Sequence, residues 1–106
     1  MLGKTVKVTV DRPLGSKHPK YDMIYPVNYG YVEGLIGGDG EEQDVYILGI
    51  DEPLTEFEGT IIAIVHRLND NEDKWVVTPD GMRFSKREIK EILYFQEQYF
   101  ESEIIA

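Results

Sequence analysis

Tyr25-Pro-Val-Asn-Tyr-Gly-Tyr31, followed after a glycine-rich run by Asp39-Gly-Glu-Glu-Gln-Asp44 and then Val45-Tyr-Ile-Leu-Gly-Ile50, is the stretch on which the reading of this chain turns. Four carboxylates fall within residues 39–44, beside Gly37, Gly38 and Gly40. In a compact turn they repel one another unless solvent or a cation compensates, and hard divalent cations prefer such oxygen ligands. The segment therefore reads as a metal site on a loop that runs into a buried strand. Taken alone, an acidic turn with glycines is more often a solvated surface loop. An EF-hand does not fit, because the residues after Asp44 are strand-like and the loop lacks that motif's glycine and glutamate positions. The tyrosines upstream shift the balance, since their hydroxyls can donate to an anion such as phosphate. Carboxylates for Mg²⁺ and donors for phosphate together point to phosphoryl chemistry.

Working outward, Val6, Val8 and Val10 alternate with Lys7 and Thr9, the period-two pattern of a half-buried strand that ends near Asp11. Residues 12–20 carry two prolines and a glycine and are unusually basic for this chain, so they read as a loop able to lie over an anion. Residues 29–35 and 44–50 are strand-like on either side of the glycine-rich turn. Residues 59–67, with the core Ile-Ile-Ala-Ile-Val, read as a strand buried on both faces, and 75–77 as a short strand able to form a hairpin with it. Only the last third changes period. Ser85 and Glu88 have capping-box spacing, and Ile89, Ile92, Leu93, Gln96 and Phe100 fall on one helical face, so a helix is expected from Lys86 to near Glu101. The class is α+β: a small barrel or curled sheet of about five short strands with one C-terminal helix, formed by residues 1–106 as a single domain.

A chain of 106 residues has room for one modest core. Twenty acidic against eleven basic residues give a net charge of −9, which disfavours a nucleic-acid or anionic-membrane partner even for a barrel of oligonucleotide-binding type. With no cysteine there is neither a disulfide framework nor a thiolate nucleophile. The N-terminus lacks the apolar core of a signal peptide, and no run reaches membrane-spanning length, so a soluble cytoplasmic protein is expected.

These residues resemble a known family. Residues 25–31 and 39–45 resemble the core of the soluble family I inorganic pyrophosphatases, whose signature is a D-x-D-x-x-D loop after a Y-P-x-N-Y-G-Y-type strand. Val10-Asp11-Arg12, Lys74-Trp-Val-Val-Thr-Pro79 and residues 92–99 follow in the family's order. The resemblance implies a distorted, OB-like five-stranded barrel that hydrolyses pyrophosphate to two phosphates with Mg²⁺. Carried over by position, Asp39 and Asp44 match metal ligands, as do Asp70 and one of Glu72 or Asp73; spacing to Lys74 favours Glu72 and residue type favours Asp73. Arg12, Tyr29, Lys74 and Tyr99 match phosphate-binding positions. Glu41 stands where the family has the aspartate that helps to orient and deprotonate the attacking water, so Glu41 and Asp44 are the catalytic candidates. Because the family commonly forms homo-oligomers and a small domain gains from burying apolar surface, self-association is a further expectation.

The departures are as specific as the matches. The chain is shorter than typical members, and the N-terminal segment that carries another glutamate and lysine has no counterpart. Phe100 follows Tyr99 where the family has a lysine, and Glu41 is one methylene longer than the family's aspartate. Taken singly, Tyr25, Tyr29 and Tyr31 are half-buried sheet aromatics, Asp70, Glu72 and Asp73 a wet hairpin turn, and Trp75 and Phe100 core. The alternative function is a non-catalytic module that binds Mg²⁺ with a phosphorylated ligand or serves in assembly.

Overall fold

A computed structural model of the chain describes residues 2–20, 22–37, 40–68 and 72–106. Six strands and one helix follow in the order β1 (Thr5–Arg12), β2 (Asn28–Ile36), β3 (Glu42–Ile47), β4 (Glu56–Arg67), β5 (Asp73–Thr78), α1 (Lys86–Glu97) and β6 (Ser102–Ile105). The sheet runs β1-β2-β3-β5-β4-β6, and a further β1–β4 pairing closes the first five strands into a barrel. All of these pairs are antiparallel except β3–β5, which is parallel.

β4 is long enough to serve two partners. Its first half, from Glu56 to Thr60, pairs with β1, and its last residues, Ile64 to Arg67, pair with β6. The sequence placed its start at Gly59, because the flanking Glu56-Phe-Glu58 looks like loop; pairing with β1 extends it. Its burial alternates strictly instead of covering both faces fully. Ala63 and Val65 join Val27, Tyr46, Leu48, Val76, Ile89 and Leu93 in a cluster between the sheet and α1. Ile61 joins Val8, Val10, Val45, Ile47, Trp75 and Val77 in a second cluster on the opposite face. Successive strand residues point to opposite faces, so the two apolar sets interleave along β3 and β5, while in β4 a register shift between Ile61 and Ala63 carries residues of the same parity to opposite faces.

The capping box is present: Glu88 N donates to Ser85 Oγ at 3.1 Å and Ser85 N to Glu88 Oε1 at 2.9 Å. The helix stops at Glu97, short of the expected Glu101, because the chain turns to form β6, a strand that four residues of sequence do not announce. Leu68 N donates to the Glu101 carbonyl at 2.7 Å and starts that pairing. Gly30, inside the Tyr29-Gly-Tyr31 motif, lies so close to β1 that a Cβ there would land on the Thr9 carbonyl. The glycine is thus what lets β1 and β2 approach. No helix among the described residues is long and apolar enough to cross a membrane.

Candidate active site

The site forms where α1 leaves the outer face of the barrel uncovered, and register decides which side chains reach it. Tyr29 lies opposite Tyr46 and Tyr31 opposite Asp44 across β2–β3, while Tyr46 lies opposite Val76 across β3–β5. Paired residues share a face and period two carries it along each strand, so Tyr29, Asp44 and Lys74 all point to one side. An irregularity in β1 between Val10 and Arg12 sets Arg12 opposite Tyr29, the kind of re-aiming that a bulge provides.

Asp11, Arg12, His18, Lys20, Tyr25, Tyr29, Asp44, Arg67, Lys74, Gln96 and Phe100 are among the residues lining a pocket of about 360 Å³. The basic loop is fastened over it. Tyr25 N donates to the Ser16 carbonyl and Gly15 N to the Tyr25 carbonyl, and the His18 ring stacks on Tyr25 with centroids 5.6 Å apart. Asn28, fully buried, accepts from Leu14 N at 3.0 Å and Leu54 N at 2.9 Å and donates to the Glu52 carbonyl at 2.9 Å, tying two loops to the start of β2. The asparagine of the motif is therefore a structural clamp.

Lys74 is the hub. Its ammonium donates to Tyr29 Oη at 2.7 Å, to Asp44 Oδ2 at 2.5 Å and to Glu72 Oε1. Burial, followed by the Asp44 carboxylate, pushes the Tyr29 phenol well above its ordinary value, so it keeps its proton. Burial also raises Glu72, against the lowering effect of Lys74, and desolvation raises Asp11 at the pocket mouth. Glu72 Oε2 accepts from Arg67 Nη1 at 3.2 Å. Behind Arg67 a buried chain continues: Glu97 accepts from Arg67 and from Tyr46 Oη, Gln96 Nε2 donates to Tyr46 Oη, and Tyr25 Oη donates to Gln96 Oε1.

The sequence-expected residues divide accordingly. Arg12, Tyr29, Asp44 and Lys74 line one pocket, and Glu72 joins them through Lys74. Asp73, one residue out of phase with Glu72 and Lys74, faces the other way and bonds His66 Nδ1 at 2.6 Å, so of the two it is Glu72 that stands beside Lys74 and the pocket. Glu41 is exposed on the turn and Tyr99 is half exposed beyond the helix; neither lines the pocket. Phe100, expected in the core, is half-buried in the pocket wall, with the Arg67 guanidinium 3.6 Å from its ring centroid. Asp39 and Asp70 lie outside the described residues. Arg67 and Glu97 were not singled out from the sequence, and Gln96 was placed on the inward face of the helix without a role; the polar pair His66-Arg67 at the end of an apolar strand was the signal for Arg67.

Among the described residues, no group of three or more His, Cys, Asp or Glu side chains is placed to hold a metal ion. Asp44, with a carboxylate aimed into the pocket, has the donor chemistry for Mg²⁺. Glu72 does not fit in the same way, because both of its oxygens are engaged by Lys74 and Arg67.

No protein-family model and no curated protein matches the chain. Solved structures do. The chain is similar to an inorganic pyrophosphatase from Ehrlichia chaffeensis, with a TM-score of 0.76 and 18% identity, covering 100% of this chain and 88% of that one. One from Neisseria gonorrhoeae gives 0.67 and 23% identity over 92% and 74% of the two chains. One from Coxiella burnetii gives 0.72 and 16% over 100% and 86%. The expected five-stranded barrel with one helix is borne out, and the fold is that of the inorganic pyrophosphatases.

Proposed function

We propose that the protein hydrolyses inorganic pyrophosphate, or a closely related small phosphoanhydride, to two phosphates, as a Mg²⁺-dependent cytoplasmic enzyme. The observation that carries this reading is the convergence of Arg12, Lys74 and the protonated Tyr29 with Asp44 in one pocket, on a fold shared with inorganic pyrophosphatases. An anhydride bearing several negative charges needs fixed cations and O–H donors, and phosphoryl transfer is catalysed mainly by positioning and charge stabilisation. A pocket of about 360 Å³ suits a small ligand of this kind.

Mg²⁺ would be held by Asp44 together with Asp39 and Asp70, lowering the pKa of bound water and neutralising phosphate charge. The chain's own residues do the rest. Asp44 accepts a hydrogen bond from the attacking water. The water oxygen bonds to one phosphorus as the bridging P–O bond breaks; the bridging oxygen leaves on the second phosphate, and the water protons end on the two products. Tyr29, kept neutral, offers its O–H to a phosphate oxygen, and Arg12 offers a guanidinium fork for which no phenol or amine substitutes. Glu41, outside the pocket, takes no step in this scheme.

The test is phosphate release from pyrophosphate with Mg²⁺, compared with nucleotides and other small anhydrides. Release from pyrophosphate well above the others supports the reading; none from any of them leaves the second reading, a binding module without catalysis. That second reading is favoured by one observation, the absence of Glu41 and Tyr99 from the pocket lining.

A further inference from the structure

Arg67 closes β4 with its side chain 5% exposed in the pocket wall. Nε donates to Glu97 Oε1 at 3.1 Å, Nη2 to Glu97 Oε2 at 2.7 Å and Nη1 to Glu72 Oε2 at 3.2 Å, while the Phe100 ring covers one face of the guanidinium. A guanidinium carries five N–H groups, so about two are left beyond these three bonds to described residues, one on each Nη. Burial opposes the charge, and Glu97 outweighs it, so the proton affinity of Arg67 is raised. On the other side of Glu72, Lys74 occupies Oε1. A metal ion bound to Glu72 would have to displace one of these cations and leave it buried without its partner, which is costly.

A buried ion pair is not what a barrel needs for stability, since apolar residues of similar volume serve as well or better. A fixed guanidinium at a pocket wall is, by contrast, the usual means of gripping a phosphate with two parallel N–H bonds. The wall has further cations in Arg12 and Lys20, in a chain whose net charge is −9. Four of its basic side chains thus gather around one pocket.

We propose that Arg67, held by Glu97 and stacked on Phe100, is an anion-binding residue which with Lys74 takes the place of a divalent cation at Glu72, so that the pocket binds a phosphate-class anion without metal. Glu72 is then an anchor for two cations and not a metal ligand. The proposal rests on the pocket being the phosphate site of the function proposed above.

The experiment is calorimetric titration of the wild-type chain with inorganic pyrophosphate, and separately with phosphate, in excess EDTA. Saturable binding that weakens with salt is expected, with a loss of roughly tenfold or more in Arg67→Gln and an unchanged affinity in the distant Lys90→Ala. A Mg²⁺ titration of Glu72→Gln without anion should give the wild-type affinity. Absence of saturable binding to the wild type in EDTA overturns the proposal whatever the variants do. So does wild-type affinity in a folded Arg67→Gln, or loss of Mg²⁺ binding in a folded Glu72→Gln. The two readings separate cleanly: binding in EDTA without Mg²⁺-dependent phosphate release supports this one and sinks the catalytic one, and release without metal-free binding does the reverse.

Discussion

Lys74 places its three protons on Tyr29, Asp44 and Glu72, and each of those partners is thereby fixed in direction. Removing the charge of Asp44 without changing its shape, as Asp44→Asn, is expected to lower phosphate release by about 10²-fold or more while leaving the fold intact; steady-state kinetics and circular dichroism check the two halves. Arg12→Ala should raise KM, or lower kcat, with little effect on melting, because the guanidinium lines the pocket and its bond to the adjacent Asp11 carbonyl, at 3.3 Å, is exposed. Tyr29, Asp44 and Lys74 could be named from the sequence because they sit in the short motifs that carry the family resemblance, and the structure gathers them in one pocket. Arg67 could not, because its partner Glu97 is 30 residues away and a pairing through space leaves no mark on either local pattern. Phe100 was misplaced for a related reason. Helical spacing assigned it to the apolar face, but the helix ends before it.

Among the elements, α1 and β5 show how local rules and tertiary ones divide the work. Ser85 satisfies an otherwise unpaired N–H at the helix start, and Ser85→Ala should cost about 1 kcal/mol in urea unfolding. Bonding to Ser85 lowers Glu88, so its contribution is present above the ordinary carboxylate value of 4.5 and is lost as pH falls through the depressed one. β5 alternates, and the alternation separates Asp73 from Glu72 and Lys74. At the far side Asp73 raises His66 above its ordinary value of 6.5 by hydrogen bonding. The stabilisation from that pair is complete below 6.5 and disappears as pH rises through the elevated value. An NMR titration should find His66 raised in the wild type and returned toward 6.5 in Asp73→Asn. The start and cap of α1 could be read from sequence because capping is local. The four residues of β6 could not, since their strand character comes from pairing with the end of β4.

For the molecule as a whole, the parallel β3–β5 pair is what brings Asp44 and Lys74, at the starts of neighbouring strands, side by side in the pocket. The five strands of the barrel were readable from alternation and from the family resemblance; closure itself depends on β1 pairing with Glu56 to Thr60, most of which look like loop. A ligand that binds only the folded barrel should raise its melting temperature, so Mg²⁺ together with pyrophosphate is expected to stabilise the protein more than Mg²⁺ alone in a thermal scan. The measurement that bears on the pocket as a catalyst is phosphate release from pyrophosphate by wild type and Asp44→Asn, purified side by side, with Mg²⁺ and with EDTA. Release by the wild type that needs Mg²⁺ and falls by about 10²-fold or more in the variant is the expected result. Equal release by both proteins, or none by a folded wild type, would contradict it.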